Sequence, residues 1–395
     1  MRAAGIICEF NPLHKGHAWM MEEVRRQGVD AIVCAMSGNF VQRGEAAAVD
    51  KLARAEMAVR CGADLVLELP TPWAANTAEI FARGGVELLQ KTGVVSHLAF
   101  GSECGDAAAL QQLAAALDSG EYEEHLRALL GSGASFAVCR QKAVAQIVGE
   151  EAAALLVSPN NNLGVEYCRA MTRAGAQWGV VTVPRMGAAH DGAPCEGIAS
   201  ASHIRALLTE GKTEQALAFL PDAAAEVLRR ELAAHRAPAS LANCERAVLY
   251  QLRAMAEEDF APYDTSGEGL YRRVYQAVRA GSSVEEILDT AKTKRYSHAR
   301  LRRMLLHAWL GMERVPDDVP YLRVLAANAT GRQLLRQMRD NGAPVLTRAA
   351  DVAALGAAAE ELFRAEAMRT DLYDLARPAV PGGCGRDWRI TPVMG

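Results

Sequence analysis

Five short, near-continuous apolar runs constrain this chain more than any other feature. They are AAGIICEF (3–10), DAIVCAMS (30–37), ADLVLELP (63–70), SHLAFGSE (96–103) and WGVVTVPR (178–185), with helical stretches between them. Strands that are apolar throughout, rather than alternating, need cover on both faces, and intervening helices supply it. The expectation is an α/β fold built on a Rossmann-like parallel sheet. In such sheets ligands bind beyond the carboxyl ends of the strands. The segments found there are NPLHKGH, GNFVQRGE, GSECGD and RMGAAHD. One sheet edge would gather these Gly, His, Asn and Arg residues into a single polar crevice.

Past residue 212 the runs stop. An Ala/Leu/Arg-rich helical pattern follows, broken at Pro221, Pro238, APYDTSGEG and VPDDVP. A length of 395 residues suits two domains or three. We therefore expect residues 1–212 to form the sheet domain and 213–395 an all-helical C-terminal domain. Formal charge is −4, but the first 214 residues carry six more acids than bases and the remainder two more bases than acids. Nine cysteines form no CxxC pair, and the odd number argues against a disulfide framework, so a reducing compartment is expected. Glu9 and Asn11 interrupt the first apolar run, which therefore does not read as a signal peptide. No apolar run approaches the roughly 20 residues that span a bilayer. These features predict a cytoplasmic protein with no membrane contact.

In NPLHKGH, Asn11 can cap and Pro12 can open a helix, which would place His14, Gly16 and His17 at a strand-to-helix turn. Two imidazoles three residues apart share a helical face, where backbone N–H groups and the helix dipole favour an anion. Gly16 leaves the same turn open to a bulky ligand. Phosphate is the occupant this chemistry predicts. A lone HxxH is more often a surface pair, and a metal site is not expected, because no third ligand and no HExxH glutamate are evident.

The context resembles the HxGH nucleotidyltransferase and class I aminoacyl-tRNA synthetase superfamily. That resemblance implies ATP held with its α-phosphate over His14 and His17, and Mg2+ is inferred with it. IASASHIR (198–205) looks like the second superfamily signature, ISSTxIR, from which it departs at Ala201 and Ser202. It implies Ser200, Ser202 and Arg205 on the outer phosphates. Alone, the same segment would read as a helix N-cap at Ser202.

The match narrows further. GIICEFNPLHKGH, the 35-residue block MSGNFVQRGEAAAVDKLARAEMAVRCGADLVLELP (36–70), FGSE, SPNNNLGVEY, VPRMGAAHD and TKRYSHARLRRMLLHAWLGM occur in order. Together they resemble the tRNA(Met) cytidine acetate ligase family. The resemblance implies activation of acetate by ATP to acetyl-adenylate and pyrophosphate, then transfer to N4 of the wobble cytidine of elongator tRNA(Met), giving N4-acetylcytidine. It implies ATP contacts from Ile7, Cys8, Glu9, Phe10, Asn11, Pro12, Leu13, His14, Lys15, Gly16, His17 and Met20. Gly101, Asn160 or Asn161, and Arg185 follow. In SGNFVQRGE, Ser37, Asn39, Gln42 and Arg43 are candidates for phosphate, acetate or cytidine, since polar residues crowd beyond a strand end there. No protein partner is evident.

Lys292, Lys294, Arg295, Arg300, Arg302 and Arg303 fall within twelve residues, with no acid from 290 to 312. With Leu301, Met304, Leu305 and Trp309 as a buried stripe, they predict a cationic ridge for RNA phosphates, and Tyr296 a plane on which bases stack. Two competing readings are a cofactor adenylyltransferase acting on nicotinate or pantetheine phosphate, and a non-catalytic RNA-binding protein with a nucleotide fold.

Overall fold

The computed structural model describes residues 1–395 apart from 131–133, 135, 186–196, 266 and 268. Met186–Asp191, in the loop after the fifth run, therefore lie outside the described residues.

All five runs form strands. β1 (Ala3–Cys8), β2 (Ala31–Ser37) and β5 (Leu65–Leu69) are buried at every position. β6 (Val95–Ser102) and β7 (Gly179–Pro184) complete the parallel part, and β3 (Phe40–Val41) pairs with β4 (Glu45–Ala46) in a small hairpin beyond β2. Three strands from the later chain, β8 (Leu322–Ala327), β9 (Val345–Leu346) and β10 (Val393–Met394), extend the sheet on the β5 side. The order is β10-β8-β5-β2-β1-β6-β7, with β9 also on β8. From β1 the chain steps outward to β2 and β5, then returns to the other side of β1 for β6 and β7. The order thus reverses between β1 and β6, the point where open α/β sheets form their crevice.

Seven helices matter to the site. They are α1 (Lys15–Arg26), α2 (Lys51–Arg60), α3 (Ala78–Lys91), α4 (Pro159–Arg173), α5 (Ala201–Thr209), α6 (His298–Leu310) and α7 (Ala357–Leu375). Strand residues alternate between two cores. Val33, Leu67 and Phe100 pack with Phe81 and Leu89 of α3, whereas Ile6, Ile32 and Val66 pack with Met57 of α2 and Ile204 of α5. A third core joins Leu249, Leu270, Ile287, Leu305 and Trp309 to Phe40 and Ala46 of the hairpin. The helical region therefore shares its interior with the loop beyond β2.

The chain after residue 212 is mainly helical but not wholly so, because β8 runs antiparallel to β5, and β9 and β10 pair parallel to β8. The sequence concealed β8 because a charge, Arg323, interrupts its apolar pattern. Arg323 is buried against Asp387 at 2.7 Å and Glu68 at 3.2 Å. Lys51 bonds the same two carboxylates, each at 2.7 Å, and all four side chains are buried. Next to it, Asp50 binds Arg377 (3.0 Å) and Arg386 (2.7 Å), and Asp374 binds both as well. These ions staple the last stretch of chain to α2 and β5.

Candidate active site

The helix carrying the histidines starts later than the sequence suggests. Asn11 does not cap it: its Oδ1 accepts a hydrogen bond from Ala48 N at 2.8 Å, and Asn11–Pro12 form a turn ahead of the helix. His14 is the N-cap, with extended backbone, and α1 opens at Lys15.

That change fixes the chemistry of both imidazoles. Gly16 N–H donates to His14 Nδ1 (3.1 Å), and His14 N–H donates to His17 Nδ1 (3.3 Å). With Nδ1 accepting, each neutral ring carries its proton on Nε2. The rings stack at 3.7 Å with planes 25° apart, and Phe10 meets His17 edge-on at 5.0 Å. Burial, reinforced by the Arg185 charge, lowers the His14 pKa to about 3. Burial and the charges of His14 and Arg185 likewise hold His17 well below the usual imidazole value. Both rings are therefore neutral donors at physiological pH. Gly16 suits this packing, since a Cβ there would lie 3.1 Å from the His14 ring and 3.3 Å from Ile198, and these would have to shift by a few tenths of an ångström. Phe10, just before them, has φ 47°, a left-handed conformation that non-glycine residues rarely adopt.

The histidines open onto a crevice of about 360 Å3, the scale of a small-ligand site. Ile7, Cys8, Glu9, Phe10, Asn11 and Met20 line it with them. Its far wall is apolar, formed by Phe81, Phe100 and Leu163, and its rim is polar, formed by Gln42, Arg43, Asn160, Arg185 and Ser200. Gly101 lies within β6 rather than in a turn. A Cβ there would meet Arg185 Cγ at 3.5 Å, Met20 Sδ at 3.7 Å and Val183 O at 3.9 Å, all ordinary contact distances. Protein packing alone therefore leaves room for a side chain, and the open space faces the crevice.

The two asparagines separate cleanly. Asn160 lines the crevice and accepts from Arg185 Nη1 at 3.0 Å. Asn161 is buried behind it, its Oδ1 holding Ser102 Oγ (2.8 Å), Glu103 N (2.9 Å) and Cys104 N (3.1 Å). Glu103, not singled out from the sequence, accepts from the backbone N–H of both asparagines, using the free amides at the α4 N-terminus. Among the described residues no carboxylate reaches Arg185 within ion-pair distance. Desolvation lowers the pKa of this guanidinium against the pull of Glu103.

Several expected residues lie elsewhere. Ser37 is fully buried and its hydroxyl has no partner; Asn39 is buried with Oδ1 on Lys51 N (3.0 Å) and Nδ2 on Thr370 (3.4 Å). Neither side chain lines the crevice, because the hairpin turns its outer residues, Gln42 and Arg43, toward it instead. Pro12 and Leu13 are buried, and Lys15 turns outward to Ala218 O. The α5 cap is Ser200, whose Oγ accepts from His203 N, rather than Ser202. Arg205 binds Asn11 O (2.9 Å) and faces Glu45 at 3.5 Å, lining a neighbouring cavity of about 300 Å3 beneath the hairpin.

The basic cluster also divides. Lys292, Lys294 and Arg295 are exposed. Arg302 and Arg303 are half-buried: Arg302 pairs with Glu45 (3.0 Å), and Arg303 donates to Gln42 O (3.4 Å). Gly44 permits that approach: with φ +78°, a Cβ there would fall 2.5 Å from Arg303 N. Tyr296 is buried, with the Arg300 guanidinium 5.1 Å from its ring centre, so its face is not offered to a base. Among the described residues the one candidate metal cluster, Glu285, Asp289 and His298, lies outside the crevice. No described helix is long and apolar enough to cross a membrane.

Residues 1–383 match the family described as HIGH Nucleotidyl Transferase. A tRNA(Met) cytidine acetate ligase of Syntrophomonas wolfei is 34% identical over the whole of both chains. That of Caldanaerobacter subterraneus subsp. tengcongensis is 35% identical over 95% of this chain and 96% of its own. The crystal structure of Thermotoga maritima TmcAL in its apo form superposes with a TM-score of 0.94 at 32% identity, covering 100% of this chain and 99% of that one. The same protein bound with alpha-thio ATP gives 0.92 at the same identity and coverage.

Proposed function

The chain belongs to the tRNA(Met) cytidine acetate ligase family of HIGH nucleotidyltransferases, and from that premise we propose how its crevice works. The protein is an ATP-dependent ligase. It joins acetate to AMP with release of pyrophosphate, then passes the acetyl group to N4 of the wobble cytidine of elongator tRNA(Met), giving N4-acetylcytidine.

One observation carries the reading of the site: two stacked, neutral imidazoles, each with Nδ1 satisfied by backbone and Nε2–H left to donate. Neutral donors suit the first step. The α-phosphorus gains negative charge on its oxygens as acetate attacks and pyrophosphate departs, and fixed donors stabilise that charge without reorganising. Arg185 and Ser200 on the same rim extend the set toward the outer phosphates, and the wall of Phe81, Phe100 and Leu163 suits the adenine ring. Mg2+ enters as the metal of the ATP substrate. Among the described residues Glu9 is the one carboxylate lining the crevice, too few for a dedicated cage, so phosphate oxygens and water would hold the ion. We assign residues beyond 212 to tRNA binding, with Lys292, Lys294 and Arg295 as the phosphate contacts.

The test uses ATP, Mg2+, radiolabelled acetate and total tRNA. Label in tRNA(Met) and acetate-dependent exchange of pyrophosphate into ATP are expected. AMP attached to a small phosphate ester, with unlabelled tRNA, would replace this reading with the adenylyltransferase one; neither signal would leave a binding protein.

A further inference from the structure

The second step needs a proton acceptor that the histidines cannot provide. The exocyclic N4 of cytosine is amide-like, its lone pair delocalised into the ring, so attack on a carbonyl requires N–H removal in step with bond formation. His14 and His17 have committed their Nδ1 lone pairs to backbone N–H groups and present protons, not lone pairs, to the crevice. Burial raises the Cys8 thiol pKa well above its usual value, with the Cys34 thiol adding to the effect. Burial also raises that of the Tyr167 phenol, whose hydroxyl donates to Ile7 O (3.4 Å). Arg43 and Arg185 offer no basic site. Among the described residues that line the crevice, Glu9 is the remaining group.

We propose that Glu9 is the general base of acetyl transfer, taking the N4 proton as the cytidine amine attacks the acetyl-adenylate. The inference rests on the acetate ligase reading above. The carboxylate sits at the carboxyl end of β1, one residue before the strained Phe10. Its Oε1 accepts from Gln42 N at 2.8 Å, and no other described group bonds Oε2. Two anchors hold it in place. Arg54, buried beneath, bonds the carbonyls of Glu9, Val49, Ser37 and Gly38 and so clamps the ends of β1 and β2 together. On the other side Gln42, which holds the carboxylate through its N–H, is held through its carbonyl by Arg303 of the basic helix α6. The base is thus tied through Gln42 to α6, the helix that follows the exposed basic residues.

In the step itself, the N4 lone pair forms the new C–N bond to the acetyl carbon and the N4 proton passes to Glu9 Oε2. The acyl C–O bond then breaks, its electron pair leaving with AMP, and the protonated carboxyl afterwards returns its proton to water. Burial raises the Glu9 pKa above the usual carboxyl value and Glu45 of the hairpin adds to this, while Gln42 N–H, Arg205 of α5 and Arg54 of α2 oppose it. His14, His17, Tyr167, Arg43 and Arg185 also face it, the first three neutral. A raised value strengthens the carboxylate as a base.

The experiment separates the two half-reactions in Glu9→Gln. Acetate-dependent pyrophosphate exchange should fall less than tenfold, while single-turnover transfer from preformed acetyl-adenylate to tRNA(Met) should fall at least about 100-fold. Transfer by the unaltered protein should rise tenfold per pH unit and level off above the usual carboxyl range, and the Glu9→Gln profile should be flat there. Equal losses in both steps, or an increased Mg2+ requirement for exchange, would make Glu9 a structural or metal-binding residue instead. Undiminished transfer, or a pH-independent rate in the unaltered protein, would also overturn the proposal. Absence of acetate-dependent exchange in the unaltered protein would sink the ligase reading itself, a separate outcome.

Discussion

Two regions of this molecule bury polar groups, and they do so in opposite ways. In the staple between α2, β5 and the end of the chain, four cations are matched by four carboxylates: Lys51 and Arg323 share Glu68 and Asp387, and Arg377 and Arg386 share Asp50 and Asp374. In the crevice, two imidazoles are desolvated beside a guanidinium with no carboxylate among the described residues in ion-pair reach. Perturbed pKa values occur in both places and so do not identify the site by themselves. Compensation does. Where charges are matched the groups hold the fold; donors and positive charge that face an open cavity without a described carboxylate are the basis of our proposal that an anion binds there.

The largest expected effect breaks the matched region. Lys51→Met leaves Glu68 and Asp387 buried with only Arg323 between them, which costs about 3–5 kcal/mol because uncompensated charge is left behind. Thermal unfolding should shift down by roughly 5–10 °C, with the ATP affinity of the folded fraction preserved. A shift below 2 °C would mean the staple does not hold the chain end. His17→Ala should do the reverse. It removes one donor aimed at the developing phosphate charge, so acetyl-adenylate formation should fall about 100- to 1,000-fold, with little change in unfolding temperature and tRNA affinity intact. Unimpaired adenylation would discard the donor role.

Acid sharpens the contrast, because both regions lose stability as pH falls but in different windows. Burial opposes ionisation of Asp50, yet Arg386 and Arg377 hold its pKa below the usual carboxylate value. Its stabilisation is present above the unfolded value, near 4, and is lost as pH falls below that. The His14 pKa is lowered to about 3 from an ordinary 6.5. The unfolded chain takes up that proton first, so this contribution is present above pH 6.5 and declines steadily toward pH 3. A bound triphosphate adds negative charge beside the ring and should raise its pKa, removing part of the decline between pH 6 and 4. Unfolding temperatures with and without a non-hydrolysable ATP analogue measure this, and parallel pH curves would mean the imidazoles do not face the phosphates.

What the sequence made legible follows from locality. The five strands and the histidine turn are written in contiguous residues, so their pattern reveals them. The staple is not: Lys51 meets Asp387 more than 300 positions away, and nothing near either residue announces the other. The same limit explains Ser37 and Asn39, polar residues at and beyond a strand end that the fold buries, Asn39 against α2 and α7. It explains β8, whose Arg323 reads as a break until its two buried carboxylates are known. Asn160 and Asn161 differ by one helical step of about 100°, which decides the crevice but cannot be read without knowing which face of α4 meets β6. Glu9 lies at the end of the first apolar run, yet its standing as the one carboxylate among the described lining residues emerges only when the lining is assembled.

The smallest expected effect lies on the surface and divides the basic segment the way the structure does. Lys292, Lys294 and Arg295 are exposed, so replacing all three with Ala should weaken tRNA binding without touching acetate-dependent exchange. Every cation withdrawn from a phosphate lowers the salt dependence by about 0.7–0.9 in log affinity per log salt, so the slope should fall by roughly 2–3. Arg302→Ala acts differently, because its guanidinium is engaged by Glu45 at 3.0 Å. It should leave that slope nearly unchanged and instead slow acetyl transfer a fewfold by loosening the hairpin that carries Gln42 and Arg43 to the rim. If Arg302→Ala reduced the slope as much as the triple change, the Arg302–Glu45 pair would have to open on tRNA binding. The helix would then serve the phosphates and the crevice by turns rather than at once.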